Sequence, residues 1–138
     1  MEMKAKILCA ASIIPISDHK ILLQKRWDDE CWAYHGGAME PGESAEETAR
    51  RELFEETGLV ANDISFLGVF SGREMYHKYP DGVEAYIVDI VFVCEDFSGN
   101  LLAQPEEVLD LRWFDLDQIP QNITPHQVPV FKSFMESL

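Results

Sequence analysis

The stretch GAMEPGESAEETARRELFEETGL, residues 37–59, decides the fold because it contains a complete set of helix signals. Ser44 and Glu47 are three positions apart, as in a capping box, in which each side chain satisfies an otherwise unpaired backbone N–H. Gly58 stands where a left-handed C-terminal cap is expected. The sequence therefore predicts a helix that begins at Ser44 and ends before Gly58.

Three glutamates crowd one side of this predicted helix. At about 100° per residue, Glu52, Glu55 and Glu56 fall within roughly a third of its circumference, where like charges repel and disfavour the helix. A hard divalent cation would neutralise that face, and magnesium commonly bridges protein carboxylates to substrate phosphates. Taken alone, a glutamate-rich helix is most often only a solvated surface.

The residues before and within the helix fit the same interpretation. Gly36 and Gly37 carry no side chain, so their backbone can approach a ligand closely and offer a carbonyl to a metal. Glu43 precedes the helix, where a negative charge favours the positive end of the helix dipole. Arg51 can hold neighbouring carboxylates in a fixed orientation through its planar guanidinium.

Length and charge limit the possible functions. A chain of 138 residues predicts a single domain over residues 1–138. The 25 Asp and Glu against 11 Lys and Arg disfavour nucleic acid as a partner. No apolar stretch is long enough to span a membrane. Because the three cysteines lie in no metal or redox spacing, we expect reduced thiols in a cytoplasmic protein.

The rest of the chain predicts an α/β fold. Strands are expected at residues 5–16, 20–26, 64–70, 85–93 and 111–114, and a second helix at 125–135. From Tyr86 to Val93 the residues at both odd and even positions are apolar, except for Asp89. Because these positions point to opposite faces of a strand, this strand should be covered on both faces. Strands interleaved with two helices predict a mixed sheet with helices packed on its faces.

Residues 37–59 resemble the Nudix box: Gly, five residues, Glu, seven residues, Arg-Glu, an aliphatic, any residue, Glu-Glu, any residue, Gly and an aliphatic. Every specified position is present. The stretch from Phe70 to Tyr86 also resembles bacterial MutT-like members. The resemblance implies a Nudix-type α/β/α sandwich with a mixed β-sheet, whose loop–helix–loop catalytic motif binds Mg²⁺, with Mn²⁺ as an alternative. His35 departs from the proline that commonly precedes the two glycines, and it is either a substrate contact or a loop histidine without that role.

The resemblance also implies a role for each matching residue. Glu52 and Glu56 would be direct metal ligands, and Glu55 would be a ligand directly or through water. The Gly37 carbonyl would complete the site. The residues that orient the others would be Glu43 and Arg51.

The implied reaction is metal-dependent attack of water on the diphosphate linkage of a nucleoside diphosphate derivative, and a carboxylate must accept the proton of the water. Glu52 or Glu55 would be that base within the box. Glu106 and Glu107 are the candidates outside it, unless they form only an exposed acidic loop. The small-molecule substrate could be a nucleoside triphosphate, ADP-ribose, a nucleotide sugar or a dinucleotide, and the sequence does not choose among them.

Two other classes of function are alternatives to hydrolysis. A non-catalytic Nudix-fold module that senses a nucleotide is the main alternative, but such proteins usually lose box glutamates, and this chain has all of them. An isoprenoid diphosphate isomerase needs an added cysteine and glutamate site, and Cys31 does not lie in a recognisable version of it. The sequence is compatible with a homodimer as well as with a monomer.

Overall fold

The computed structural model of the protein describes residues 5–102 and 108–138. Within these residues the strands are β1 (Lys6–Ser17), β2 (Lys20–Arg26), β3 (Trp32–Ala33), β4 (His35–Ala38), β5 (Leu59–Phe70), β6 (Tyr76–Lys78), β7 (Glu84–Gly99) and β8 (Val108–Asp115). The helices are α1 (Ala45–Thr57) and α2 (Val128–Glu136), and short 3₁₀ turns cover Arg73–Met75 and Pro125–Gln127.

The strands form a mixed sheet in the order β3-β2-β1-β7-β5. β1 and β7 run parallel at its centre, from Lys6 opposite Ala85 to Pro15 opposite Cys94. β5 pairs with β7 in the antiparallel direction. The remaining short strands extend the sheet, because β4 pairs with β1, β6 with β7 and β8 with β2. The prediction of a mixed sheet is confirmed.

The two helices pack on opposite faces of the sheet because successive strand residues point to opposite sides. Ile13 joins Leu53 of α1 in one apolar core, whereas its neighbour Ile14 joins Phe131 of α2 in the other. The α/β/α arrangement expected from the resemblance is therefore confirmed. In the described part of the chain, no helix has both the length and the apolar character needed to cross a bilayer.

Several element boundaries differ from the predicted ones. β5 begins at Leu59 rather than at residue 64, and β7 continues to Gly99 rather than ending at residue 93. The predicted second helix is divided into the 3₁₀ turn Pro125–Gln127 and α2. The expectation that residues 86–93 are covered on both faces is wrong at the first residue, because Tyr86 is 40% exposed. α1 does not extend over that end of the sheet.

Candidate active site

Helix α1 positions the glutamates, and its ends are fixed by the predicted signals. The Ser44 hydroxyl accepts a hydrogen bond from the Glu47 backbone N–H at 3.1 Å, and the Glu47 carboxylate accepts one from the Ser44 N–H at 2.9 Å. Gly58 ends the helix in the left-handed region, with φ of 81°. Because Ala49 and Leu53 are fully buried against the sheet, the helix cannot rotate and the neighbouring carboxylates have a fixed direction.

Glu56 is the most buried of the glutamates, with 2% of its surface exposed. Its carboxylate accepts hydrogen bonds from the Gln24 side-chain amide and from the Gly36 backbone N–H. Burial raises the pKa of the Glu56 carboxyl to about 7, although these hydrogen bonds oppose the change. A carboxylate in such a dry position needs an additional positive partner to stay ionised.

Glu52 lies one helical turn before Glu56, against the backbone of β4. A Cβ atom added at Gly37 would lie 2.5 Å from Glu52 Oε1, so only glycine leaves room for this carboxylate. The Glu52 and Glu56 carboxyl groups are close enough to share a hydrogen bond. Burial is the largest cause that raises the pKa of Glu52 to about 8, and the neighbouring Glu56 carboxyl group is the next. The structure therefore brings Gly37, Glu52 and Glu56 together.

Arg51 forms a fork that links the remaining glutamates of the motif. Its Nε and Nη2 donate to the two carboxylate oxygens of Glu43, at 2.7 and 3.0 Å. Its Nη1 donates to Glu52 at 2.9 Å and reaches Glu55 at 3.3 Å. The Arg51 guanidinium is the largest cause that lowers the pKa of Glu43 to about 2. Arg51 thus fixes the direction of the Glu52 carboxylate from the side opposite Glu56.

The other predicted site residues are placed differently. Glu55 is exposed and lies beside Arg51 rather than against Glu52 and Glu56. No three His, Cys, Asp or Glu side chains converge as a metal-binding group within residues 5–102 and 108–138. Glu106 and Glu107 lie outside the described residues. The carboxylates that meet at the β4 backbone are therefore those of Glu52 and Glu56.

His35 is a buried strand residue, which corrects the prediction of a loop histidine. Its Nε2–H donates to the Leu22 carbonyl at 3.0 Å, which leaves Nδ1 to accept from the Gln24 amide at 3.2 Å. Burial lowers the pKa of His35 to about 4, so the ring is neutral at pH 7. Gln24 was not among the predicted site residues. Its signal was a single amide directly after the apolar run Ile21–Leu23, followed by charged residues.

A cleft of about 240 Å³ opens beside this carboxylate pair, on the sheet face opposite α1. Gly36 and Gly37 form one end of it. Its other lining residues include Leu8, Ala10, Ser12, Tyr34, His77, Tyr79, Ile87, Asp89, Thr124 and His126. The lining combines apolar side chains, the rings of His77 and Tyr79, and a few polar groups, which is a common composition for a small-molecule site.

Several polar groups in the cleft are deeply buried. Asp89 accepts hydrogen bonds from the Ser12 and Tyr34 hydroxyls, at 2.7 and 2.6 Å. Thr124 Oγ1 and His126 Nδ1 are buried without a hydrogen-bond partner. Asp89 could have been suspected from its place in an apolar run, whereas Thr124, just before the 3₁₀ turn Pro125–Gln127, and His126, within it, gave no signal. Buried polar atoms without partners are uncommon and mark positions where a ligand can supply the missing bond.

The carboxylate pair fits magnesium by the chemistry of its donors. Mg²⁺ takes oxygen ligands, keeps several waters, and is typically held by one or two protein carboxylates together with substrate phosphates. Glu52 and Glu56 supply two crowded carboxylates, and Gly37 has no side chain to separate the Glu52 carboxylate from the β4 backbone. A divalent cation would offset the burial that raises the pKa of both carboxyl groups and neutralise the two negative charges. The residues present therefore suit such an ion.

Comparison with known proteins gives concordant matches. A family model described as the NUDIX domain matches residues 7–134. An ADP-ribose pyrophosphatase of Methanocaldococcus jannaschii is 36% identical over 121 residues, which cover 86% of this chain and 67% of that protein. A putative 8-oxo-dGTP diphosphatase of Bacillus subtilis is 32% identical over 115 residues, covering 83% of this chain and 70% of that protein. The crystal structure of a MutT Nudix hydrolase from Burkholderia pseudomallei has a TM-score of 0.79 and 26% identity, and covers 92% of this chain and 97% of its own.

The mixed sheet between two helices, with box glutamates at the end of a cleft, defines a class of hydrolase that acts on phosphoric anhydride bonds. The chain belongs to the Nudix family, whose domain model covers nearly all of it. The predicted family, the α/β fold and the predicted reaction class, cleavage of a nucleoside diphosphate derivative, are confirmed by these matches.

Proposed function

We propose that residues 1–138 act as a single-domain pyrophosphohydrolase that requires Mg²⁺, or Mn²⁺ in its place, to cleave the diphosphate linkage of a purine nucleotide derivative. The observation that carries this proposal is the contact between the Glu52 and Glu56 carboxyl groups beside Gly37, at the end of a cleft. Two carboxylates in that position attract a cation, and the cleft leaves space for the nucleoside attached to the phosphates.

Some residues of the motif would hold the cation, and others would orient the residues that hold it. Glu56, Glu52 and the Gly37 carbonyl would hold the cation, which when bound would shield phosphate charge and acidify the attacking water. Glu55, exposed beside Arg51, would contribute through water. Arg51 would keep Glu52 aligned, supported by the Glu43 carboxylate.

We propose Glu52 as the group that accepts the proton of the attacking water. It is the carboxylate next to Gly37, where the cleft begins, whereas Glu56 is almost fully enclosed by Gln24 and the β4 backbone. Arg51 Nη1 donates to the Glu52 carboxylate at 2.9 Å, which fixes the direction of this carboxylate. Glu55, Glu106 and Glu107 are the alternative acceptors.

The aromatic rings and buried polar atoms that line the cleft support a nucleoside as the remainder of the substrate. His77 and Tyr79 offer ring faces or edges against which a base can lie. Thr124 Oγ1 and His126 Nδ1 can each hydrogen-bond an edge of that base. Two of the similar proteins are named as an ADP-ribose pyrophosphatase and a putative 8-oxo-dGTP diphosphatase. ADP-ribose and 8-oxo-dGTP are both purine nucleotides, so these two classes of substrate are tested first.

The decisive experiment measures, by chromatography, the nucleoside monophosphate and the other phosphorylated product formed from nucleoside triphosphates, ADP-ribose, nucleotide sugars and dinucleoside polyphosphates, with Mg²⁺, with Mn²⁺ and with a chelator. Glu56→Gln and Glu52→Gln are compared with Glu46→Gln, a matched control at an exposed glutamate in the first turn of the same helix. We expect metal-dependent cleavage of a purine substrate by the wild type and the control, and none by Glu56→Gln.

Two outcomes would contradict parts of this proposal. Wild-type turnover by Glu56→Gln would show that the cation is held elsewhere. Nucleotide binding without turnover of any substrate would identify the chain as a nucleotide-sensing module instead. For the proton acceptor, Glu52→Gln should lose turnover while its melting temperature still rises with Mg²⁺, since Glu56 remains. Retained turnover in Glu52→Gln would transfer the role to Glu55, Glu106 or Glu107.

A further inference from the structure

The sheet face that α1 covers is exposed and apolar at the end that the helix does not reach. Six residues from four strands form this surface, which we call the apolar strip: Ile7, Cys9, Phe66, Val69, Tyr76 and Tyr86. Their exposed fractions reach 74% for Ile7 and 63% for Phe66. Single exposed apolar residues are ordinary, but a contiguous group of them marks an interaction surface.

The strip is continuous because its members are neighbours across the sheet. Ile7 on β1 is paired with Tyr86 on β7, and Tyr86 is paired with Tyr76 on β6. The Tyr76 and Tyr86 rings lie 5.5 Å apart between centroids. On β5, the Phe66 ring packs edge-on against Phe92 of β7 at 6.0 Å. The sheet backbone thus holds these side chains in one rigid surface.

The strip is separate from the cleft, so substrate binding does not explain it. Successive residues of a strand point to opposite faces, and Ile87 and Asp89 line the cleft. Tyr86 therefore points away from it, as does Ile7, which precedes the cleft residue Leu8 on β1. A nucleotide bound at the cleft would leave the strip exposed to water.

The distribution of charge favours a particular kind of partner. The chain has a formal net charge of −14, yet none of the six strip residues is charged. At one end of the strip, Lys78 of β6 stands opposite Glu84 of β7. Lys78 and Glu84 give this end of the strip one charge of each sign, so the same surface of a second copy would meet it without an excess of like charge at the strip.

We propose that the apolar strip is the centre of a two-fold symmetric interface between two copies of this chain. At about 200 Å² for a fully exposed aromatic side chain, and less for Ile and Val, the exposed fractions amount to roughly 500 Å² of apolar surface. A standard interface takes about 800 Å² from each partner, of which about 65% is apolar in homodimers. The strip therefore supplies about the apolar area that a stable dimer needs.

The test is the molar mass in solution by light scattering or sedimentation, at micromolar concentrations. The wild type should weigh twice the 15.8 kDa of one chain. Val69→Glu and Ile7→Glu, on two different strands, place a charge in the strip and should each give 15.8 kDa. Leu109→Glu on β8 is the matched control, because Leu109 is 54% exposed, close to the 55% of Val69, and lies outside the strip. It should remain a dimer.

Circular dichroism of each variant separates loss of the interface from loss of the fold, and two independent positions keep the test valid if one variant fails to fold. A monomeric wild type at these concentrations would overturn the proposal. Folded Val69→Glu and Ile7→Glu variants that both stay dimeric would overturn it as well, because the copies would then meet elsewhere.

Cys9 gives a second readout in the unmodified protein. Its thiol is exposed in a single chain and lies within the strip, whereas Cys31 lies in a loop outside it. Alkylation of Cys9 should slow as protein concentration rises and the dimer forms, while alkylation of Cys31 keeps its rate. A Cys9 rate that is independent of concentration, in a protein shown to be dimeric, would place the interface on another surface.

Discussion

Replacing Gly37 by alanine puts a methyl group where the Glu52 carboxylate lies. The added Cβ would be 2.5 Å from Glu52 Oε1 and 2.6 Å from its Cδ, whereas ordinary contact begins at 3.4 Å, so the carboxylate must move by about 0.9 Å. A displacement of about 1 Å in a catalytic group can cost about 100-fold in rate. We expect kcat/KM of Gly37→Ala to fall by about 10- to 100-fold, or about 1.4–2.7 kcal/mol in activation free energy.

The same variant should keep its stability. Gly37 does not occupy the left-handed region, and the group that must move is the free end of a flexible side chain. Its free energy of unfolding in urea should therefore stay within about 1 kcal/mol of the wild type. Gly36→Ala is the control, because its Cβ would meet the Ala11 carbonyl at 2.7 Å. That backbone atom cannot move aside, and we expect a loss of about 1–3 kcal/mol. Wild-type kcat/KM for Gly37→Ala would refute the reasoning.

Three further changes test the supporting contacts. Arg51→Lys removes the two-pronged contact to Glu43 and should lower kcat by about 10- to 100-fold with little change in the circular dichroism spectrum; an unchanged kcat would contradict the orienting role. Gln24→Leu deprives Glu56 of its amide donor and should lower the free energy of unfolding by about 1–3 kcal/mol in urea, and an unchanged value would mean that the amide is dispensable. Burial lowers the pKa of His126 from 6.5 to about 3, so the folded state resists protonation and loses stability as pH falls below 6.5. Between pH 7 and pH 4.5, the free energy of unfolding of His126→Gln should fall by about 2 kcal/mol less than that of the wild type. Equal decreases in both proteins would show that other groups control stability at acid pH.

The helix and its glutamates could be predicted because their signals are local. Ser44, Glu47 and Gly58 fix the two ends of α1 within a few residues of themselves, and the structure reproduces both caps. The box spacing then identified the positions of Glu52 and Glu56 before any tertiary contact was known. The boundaries of β5 and β7 were less accurate, because bulges and long-range pairing determine where these strands begin and end.

The contacts around Glu56 could not be predicted in the same way. Gln24 reaches it across 32 positions of the chain, and no local pattern records which strand residue meets a helix carboxylate. His35 illustrates the same limit, since its burial depends on the pairing of Ile13 and His35 in β1 and β4. Two glycines after a histidine indicate a turn when only neighbours are considered. The assigned roles of Glu106 and Glu107 remain predictions.

The charges of α1 have a consequence for the order of folding. Its last turn contains Glu55 and Glu56 and no basic residue, so these charges oppose the helix dipole. Such a segment is a poor helix in water by itself, and packing of Ala49 and Leu53 on the sheet must hold it in place. We therefore expect the carboxylate pair to assemble together with the packing of α1 on the sheet, and not before it. A cation held by the pair would bind the native chain rather than the unfolded one, and its binding would therefore add to native stability.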